Sequence, residues 1–413
     1  MWLGTGGWIV GAFPYLSWDQ HLILAGNQHM KNFLLCFVMA SIAYAVSAQR
    51  VQIVRPDGRS ISQSGIDSII LALMHRAKVT GLCLGIVQDG QIAYVQAYGY
   101  KNKPLNRLND TATCFYGASL SKAVFAYLVM QLVDRRLIDL DKPLYTYLPK
   151  PLPEYDKYKD LAGDERWKLV TARHCLDHTT GFPNWRMFNP IHPDKLEFFF
   201  TPGQRYAYSG EGLYLLQLVV ETVTGKPLDV LAQEQIFLPF GMRRTSYLWQ
   251  PAFETDYAVG HLVHEDTIPK NKRTRANAAG SMETTIADYT RFAAAVLRGD
   301  GLSVKAREEM LSPQIAIFSR RQFPSLDTAT TTENQKIQLS YGLGWGLFVS
   351  PAGKVFFKEG HDDGWEHYAM CLPEKKAAFV VMTNSSNGES IYAKLFDKLT
   401  GITIPWEWEG YAP

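Results

Sequence analysis

The segment Ser119-Leu120-Ser121-Lys122 sets a hydroxyl and an amine three residues apart, at the mouth of an apolar run from Ala123 to Leu137. On a helix, residues at that spacing share a face, so Ser119 and Lys122 can touch. A serine hydroxyl becomes an effective nucleophile only when a neighbouring group takes its proton. A lysine amine can do so when burial or nearby positive charge lowers its pKa. The apolar run supplies the burial, because Ala, Val, Phe, Leu and Met fall on all its faces. The chemistry this permits is acyl transfer through an ester on Ser119. A lone S-x-x-K arises by chance in many chains, so the reading needs further groups.

Two segments can supply them. Tyr208-Ser209-Gly210 follows the turn-rich Pro202 to Ala207, and Gly360-His361-Asp362-Asp363-Gly364 lies between two predicted strands near the C-terminus. An amine and a phenol beside one hydroxyl furnish a general base and a general acid. Tyr206 and Tyr208 compete for the role of packed aromatic, and Ser121 is either a supporting hydroxyl or a helix cap. His178 reads as structural, at the C-terminus of its helix.

The elements that must position these residues are legible in outline. Leu82 to Val87, the turn dipeptide Asp89-Gly90 and Ile92 to Val95 read as a hairpin. The Ser119 helix follows, then Pro-rich segments around residues 143–153. Thr171 to His178 reads as helical and ends at Thr179-Thr180-Gly181. Leu213 to Thr224 is an apolar helix closed by Gly225, and Thr285 to Leu297 is another. Ser319 to Gln335 is polar and aperiodic, the pattern of a mobile flap. Strands return at Gly344 to Val349, Lys354 to Phe357, His367 to Leu372 and Ala377 to Met382, before a final helix from Ser390 to Leu399. Strands at both ends around a helical middle predict an α+β fold. One antiparallel sheet is formed by both chain ends and flanked by helices, with a helical insertion over about residues 140–335.

The totals narrow the function classes. The chain has 413 residues, 46% hydrophobic and 20% charged, with 42 basic against 40 acidic side chains and a net charge of +2. That balance, with no basic stripe interleaved with aromatics, argues against a nucleic-acid partner. Residues 30–48 read as a secretion signal: Lys31, an apolar stretch from Phe33 to Val46, then a small-residue cleavage site ending at Ala48. The stretch is too short for comfortable bilayer spanning, so no permanent membrane anchor is expected. Residues 1–29 then read as an upstream extension ahead of Met30, and residues 49–413 as a single working domain, exported to the periplasm or secreted. Of five cysteines, Cys83, Cys114, Cys175 and Cys371 remain after cleavage; they match no zinc spacing and allow disulfides or buried thiols. Neither His261, His264 and Glu265 nor His361, Asp362 and His367 has a recognised ligand spacing, so no metal is expected, and no cofactor. No G-x-S-x-G occurs, against an α/β-hydrolase.

In order and context, the three motifs resemble those of the serine β-lactamase and penicillin-binding-protein superfamily. The resemblance is strongest to the branch of class C β-lactamases, family VIII esterases, D-aminopeptidases and DD-carboxypeptidases. It runs from about Ile86 to Leu399 and includes Leu176-Asp177-His178-Thr179-Thr180-Gly181, Phe200-Thr201-Pro202-Gly203, Ala279-Gly280-Ser281-Met282 and Tyr341-Gly342-Leu343-Gly344-Trp345. It implies that Ser119 is acylated, Lys122 is its base, Tyr208 passes the proton to the leaving group, and His361 stands where β-lactamases carry the lysine of K-T-G. The implied oxyanion hole is the N–H of Ser119 and of Gly364, and Gly364 would let substrate approach the backbone closely.

Two departures bear on substrate binding. Gly210 replaces an asparagine that usually holds the acyl amide. Histidine at 361, roughly a quarter protonated at pH 7, recognises a carboxylate less well than lysine. Asp363, two residues on along a strand, should sit beside His361 and both repel anions and raise the histidine's pKa. The expectation is a serine hydrolase acting on ester or small amide substrates. The alternatives are a D-Ala-D-Ala carboxypeptidase or β-lactamase acting on peptidoglycan peptides or β-lactams, and a non-catalytic sensor. The implied partner is a small molecule or short peptide. N-terminal sequencing of the exported protein should begin near Gln49; a retained Trp2 would refute the leader assignment.

Overall fold

In the hairpin at the start of the sheet, β1 (Gly81–Gln88) is buried on both faces and β2 (Gln91–Asn102) pairs with it antiparallel. Asp89 and Gly90 both take positive φ, 53° and 74°, the two-residue turn that matches strand twist. The computed structural model describes residues 52–402 and 404–411. The segments expected to be an upstream extension and a secretion signal lie outside them.

β3 (Arg107–Leu108) follows, and the remaining strands come from the C-terminal part: β4 (Ile315–Ala316), β5 (Ser340–Tyr341), β6 (Gly346–Ser350), β7 (Gly353–Asp362), β8 (Trp365–Leu372) and β9 (Ala377–Thr383). The order across the sheet is β4-β5-β6-β7-β8-β9-β1-β2-β3. Every neighbouring pair is antiparallel, and β9 joins the two ends of the chain by pairing with β1. This is the expected α+β arrangement.

The period of β1 divides the core into two layers. Leu82, Leu84 and Ile86 join α1 (Gln63–Ala77) and the C-terminal aromatics on one face, whereas Cys83 and Val87 join the Ser119 helix on the other. That helix, α2, spans Leu120–Asp134 and is buried along nearly its whole length. α3 (Gly210–Thr224) begins three residues before the apolar run because Ser209 caps it, accepting the Gly212 N–H. The helix expected over 171–178 is only Ala172–Leu176. α4 (Ile286–Arg298) lies across β1 and β9, and α5 (Tyr392–Thr400) closes the other face. The four cysteines are buried free thiols. Among the described residues, no helix is long and apolar enough to cross a membrane.

α4 crosses β1 at Gly85, where a Cβ would stand 1.9 Å from Thr290 Oγ1. Gly85→Ala should therefore destabilise the fold by about 1–3 kcal/mol through overpacking, read as a lower urea midpoint with unchanged slope.

Candidate active site

The turn that presents Ser119 is fixed from both sides. Phe115–Tyr116 pairs with Glu283–Thr284, and the Gly117 N–H bonds to Met282 O at 2.7 Å. Ala118 then takes φ +44°, a left-handed conformation that a non-glycine residue adopts only when its surroundings impose it. Ser121 Oγ imposes it by donating to Ala118 O at 2.6 Å and accepting the Met282 N–H at 3.1 Å. Ser121 is thus a brace for the turn. Ser119 stands at the N-cap of α2 yet makes no side-chain capping bond, which leaves its hydroxyl for Lys122. Lys122 Nζ donates to Ser119 Oγ at 2.9 Å and to Ala279 O at 2.5 Å. The lysine is 2% exposed. Burial, aided by the positive charge of Lys358, holds its pKa well below the ordinary lysine range.

Tyr208 is positioned by His178. The Ala207 N–H bonds to His178 O at 2.8 Å, the Ser209 N–H to His178 Nδ1 at 3.2 Å, and the two rings lie 4.3 Å apart. Burial, and after it the charge of Lys358, keep His178 neutral, so its nitrogen can accept. Burial raises the Tyr208 phenol well above its usual pKa, Glu359 adds to this, and the Ser119 hydroxyl opposes it. Tyr208 is therefore a phenol, not a phenolate.

The structure corrects the register of the third motif. Lys358 Nζ reaches Tyr208 OH at 3.1 Å from a fully buried position on β7, so the lysine meeting the phenol belongs to Lys358-Glu359-Gly360, a K-x-G three residues upstream of His361. The signal was present in the sequence, but the predicted strand ended at Phe357, whereas β7 runs to Asp362. Glu359 Oε1 accepts from Lys358 Nζ at 2.6 Å and from Gln322 Nε2 at 3.0 Å. The ammonium is therefore already paired. Gly360 lies against Gly117 O and Leu120, which brings this strand alongside the Ser119 turn.

His361, Asp363 and Gly364 fall elsewhere than expected. Asp363 and Gly364 form the turn between Asp362 and its partner Trp365. Asp363 is exposed, and its side chain does not flank His361, because the strand has ended. The Gly364 N–H is bonded to Ser386 Oγ at 2.8 Å and is not open to a substrate. The turn closes on the hydrogen-bonded pair Asp362–Trp365, so the next pair, His361–Glu366, is non-hydrogen-bonded and its amide points away from β8. β6 pairs no further than Phe357, so that amide faces an open edge. The His361 side chain is not one-quarter protonated at neutrality: its Nδ1 lies 2.8 Å from Glu366 Oε2 and 3.9 Å from Glu389. The Glu366 hydrogen bond raises its pKa to about 9 against the opposing effect of burial. Burial pushes Glu366 up to about 7, with His361 opposing. Among the described residues these three side chains are also the one group whose possible metal-ligand atoms lie within 4.8 Å of one another. His361 and Glu366 approach one another as a hydrogen-bonded pair.

Gly210 does not leave an open space for substrate. A Cβ there would stand 2.3 Å from the Trp185 ring, so the indole occupies the place of the missing side chain. Trp185 also lies 5.5 Å from Lys122 Nζ. Nothing in its sequence neighbourhood marks it out, because the contact joins segments far apart in the chain. The aperiodic stretch from Ser319 is docked at the site: Gln322 bonds to Glu359, and Phe323 sets its ring edge-on to Tyr208 at 5.4 Å.

An antiparallel sheet flanked by helices, with a buried lysine on a serine at the head of α2, defines a serine hydrolase. The chain belongs to the Beta-lactamase family, which it matches over residues 66–400. It is 25% identical to penicillin-binding protein 4 of Amycolatopsis lactamdurans, over 83% of this chain and 91% of that one. It is 26% identical to esterase EstB of Burkholderia gladioli over 44% of this chain and 51% of EstB. Its fold matches the D-alanine carboxypeptidase AmpC of Burkholderia cenocepacia with a TM-score of 0.62 and 20% identity, covering 81% and 98% of the two chains.

The His361 pair makes a prediction for pH. A histidine raised above its unfolded pKa contributes stability that is complete below about 6.5 and is lost as pH rises through about 9. NMR of the imidazole should show His361 titrating near 9, and Glu366→Gln should bring it back toward the ordinary range.

Proposed function

We propose that the protein hydrolyses carboxylic esters through a Ser119 acyl-enzyme. The observation that carries this is the 2.9 Å bond from the buried Lys122 amine to Ser119 Oγ. As Oγ attacks the ester carbonyl, neutral Lys122 takes its proton, and the oxyanion forms between the N–H groups of Ser119 and His361. The tetrahedral intermediate collapses with loss of the alkoxide. Tyr208 gives that oxygen its phenolic proton and regains one from the Lys122 ammonium, so the amine is again neutral. Water then adds to the acyl-enzyme with Lys122 as base, releasing the carboxylic acid and restoring the Ser119 hydroxyl. Lys358 holds the phenol in place and lends positive charge near the lysine.

Two features favour esters over amides and β-lactams. The asparagine that would hold an acyl amide is absent at Gly210, and Trp185 fills its space. The K-x-G lysine, which could meet a substrate carboxylate, is paired with Glu359. A peptidase acting on peptides ending in D-alanine is the second reading, favoured by the same Lys358 beside Tyr208 and tested by release of D-alanine. Export through the segment Phe33 to Val46 belongs to this proposal.

A fluorophosphonate should label the mature protein and leave Ser119→Ala unlabelled. Lys122→Ala should lower kcat for p-nitrophenyl butyrate by about 10²–10⁴-fold. Rapid nitrocefin turnover without ester cleavage would reverse the order of substrates, and absence of any Ser119 adduct would favour a sensor.

A further inference from the structure

Phe323, whose ring meets Tyr208 edge-on, is also a wall of a cavity of about 700 Å³ shared with Pro183, Phe188, Pro190, Pro324 and Leu326. Its polar groups are few. Asn184 is engaged, with its backbone oxygen and its Oδ1 both accepting the Gly210 N–H, at 3.0 and 3.1 Å. Asp327 is the single charged side chain of the lining, and it is an anion. The aromatic walls are open to solvent, Phe188 at 61% and Phe323 at 41%, and Met187 and Ile191 beside them are exposed at 60% and 65%. Apolar surface gathered at the mouth of a cleft marks a place where something apolar binds.

The position of the cavity says which part of a substrate enters it. Phe323 packs directly on the Tyr208 ring, so the cavity begins where the proposed proton donor ends. The leaving oxygen must lie within hydrogen-bonding reach of that phenol, and whatever it carries must continue along the Phe323 wall. On the side of Trp185 and Tyr214 lies a different cavity, whose aromatic and aliphatic walls also carry the charged groups Asp156, Lys157, Glu221 and Arg275.

Resting on the ester-hydrolase reading, we propose that the apolar cavity receives the alcohol half of the substrate and that the preferred substrates are esters of large apolar alcohols. A carboxylate on that half would face Asp327 with no cation in the lining to meet it.

The test uses the mature chain and two series of substrates with matched leaving-group acidity: n-alkyl acetates from ethyl to octyl, and ethyl esters of acids from acetic to octanoic. In the acetate series kcat/KM should rise about two- to threefold per added methylene, less than the roughly fourfold of complete burial because the cavity is open. The acid series should be flat by comparison. Phe188→Ser and Phe323→Ser should each flatten the acetate series, whereas Val304→Ser, an exposed residue outside the cavity, should leave its slope unchanged. A flat acetate series, a steeper acid series, or a slope that survives both cavity substitutions would overturn the proposal. Calorimetric binding of 1-octanol gives a readout independent of catalysis. If no ester is cleaved but 1-octanol binds wild type and binds at least tenfold more weakly to Phe323→Ser, the cavity assignment stands and the hydrolase reading falls. If 1-octanol binds both equally, or neither, the cavity assignment falls whatever the turnover.

Discussion

A buried lysine whose charged form is disfavoured is the constraint on which the site depends. Lys122 is enclosed by α2, the Ala278–Met282 segment, Trp185 and Tyr208, and Lys358 stands across the phenol. Desolvation and like charge act in the same direction, and both disfavour the ammonium. What remains is an amine whose nearest polar neighbours are one hydroxyl and one carbonyl. Had Lys122 been paired with a carboxylate, it would be a spectator. The nearest carboxylate network, at Glu359, is instead engaged by Lys358 and Gln322.

The two lysines therefore divide the electrostatics between them. Lys358 is also completely buried, and burial lowers its pKa, but Glu359 lies 2.6 Å away and works to restore the charge. One lysine has a partner anion and the other does not, and on the proposed mechanism that difference separates their roles. It also bears on recognition, because a paired ammonium has less to offer a substrate carboxylate. The indole over Gly210 and the aromatic wall on Tyr208 change the lining in the same sense, replacing polar groups with apolar surface around the reacting atoms.

The end of β7 shows how a small error of register alters an active site. The residue types of Gly360 to Gly364 suggested a motif starting at His361, and the strand in fact continues five residues past Phe357 to a tight turn after Asp362. A shift of three residues exchanges one lysine for one histidine as the partner of Tyr208. It also moves the candidate oxyanion amide from Gly364, which is bonded to Ser386, to His361 on an open edge. The His361 imidazole then turns to Glu366 on the neighbouring strand, a cross-strand pairing that β periodicity within one strand could not reveal.

Local chemistry in the chain was enough to determine the S-x-x-K face of α2, the Asp89-Gly90 hairpin, the strands at both ends and the fold class, because helix spacing, turn dipeptides and apolar runs act over a few residues. It was enough to bring Ser119 and Lys122 together, whereas Tyr208 joined them only through the resemblance of its motif to that of the superfamily. Tertiary structure alone decided that Lys358 meets Tyr208, that Trp185 occupies the space above Gly210, that Asp363 faces solvent while Glu366 holds His361, and that the aperiodic stretch after Ser319 docks through Gln322 and Phe323. Each of these joins segments whose separation or strand register no local pattern encodes. Each also depends on burial, which is a property of the assembled core and not of any one segment.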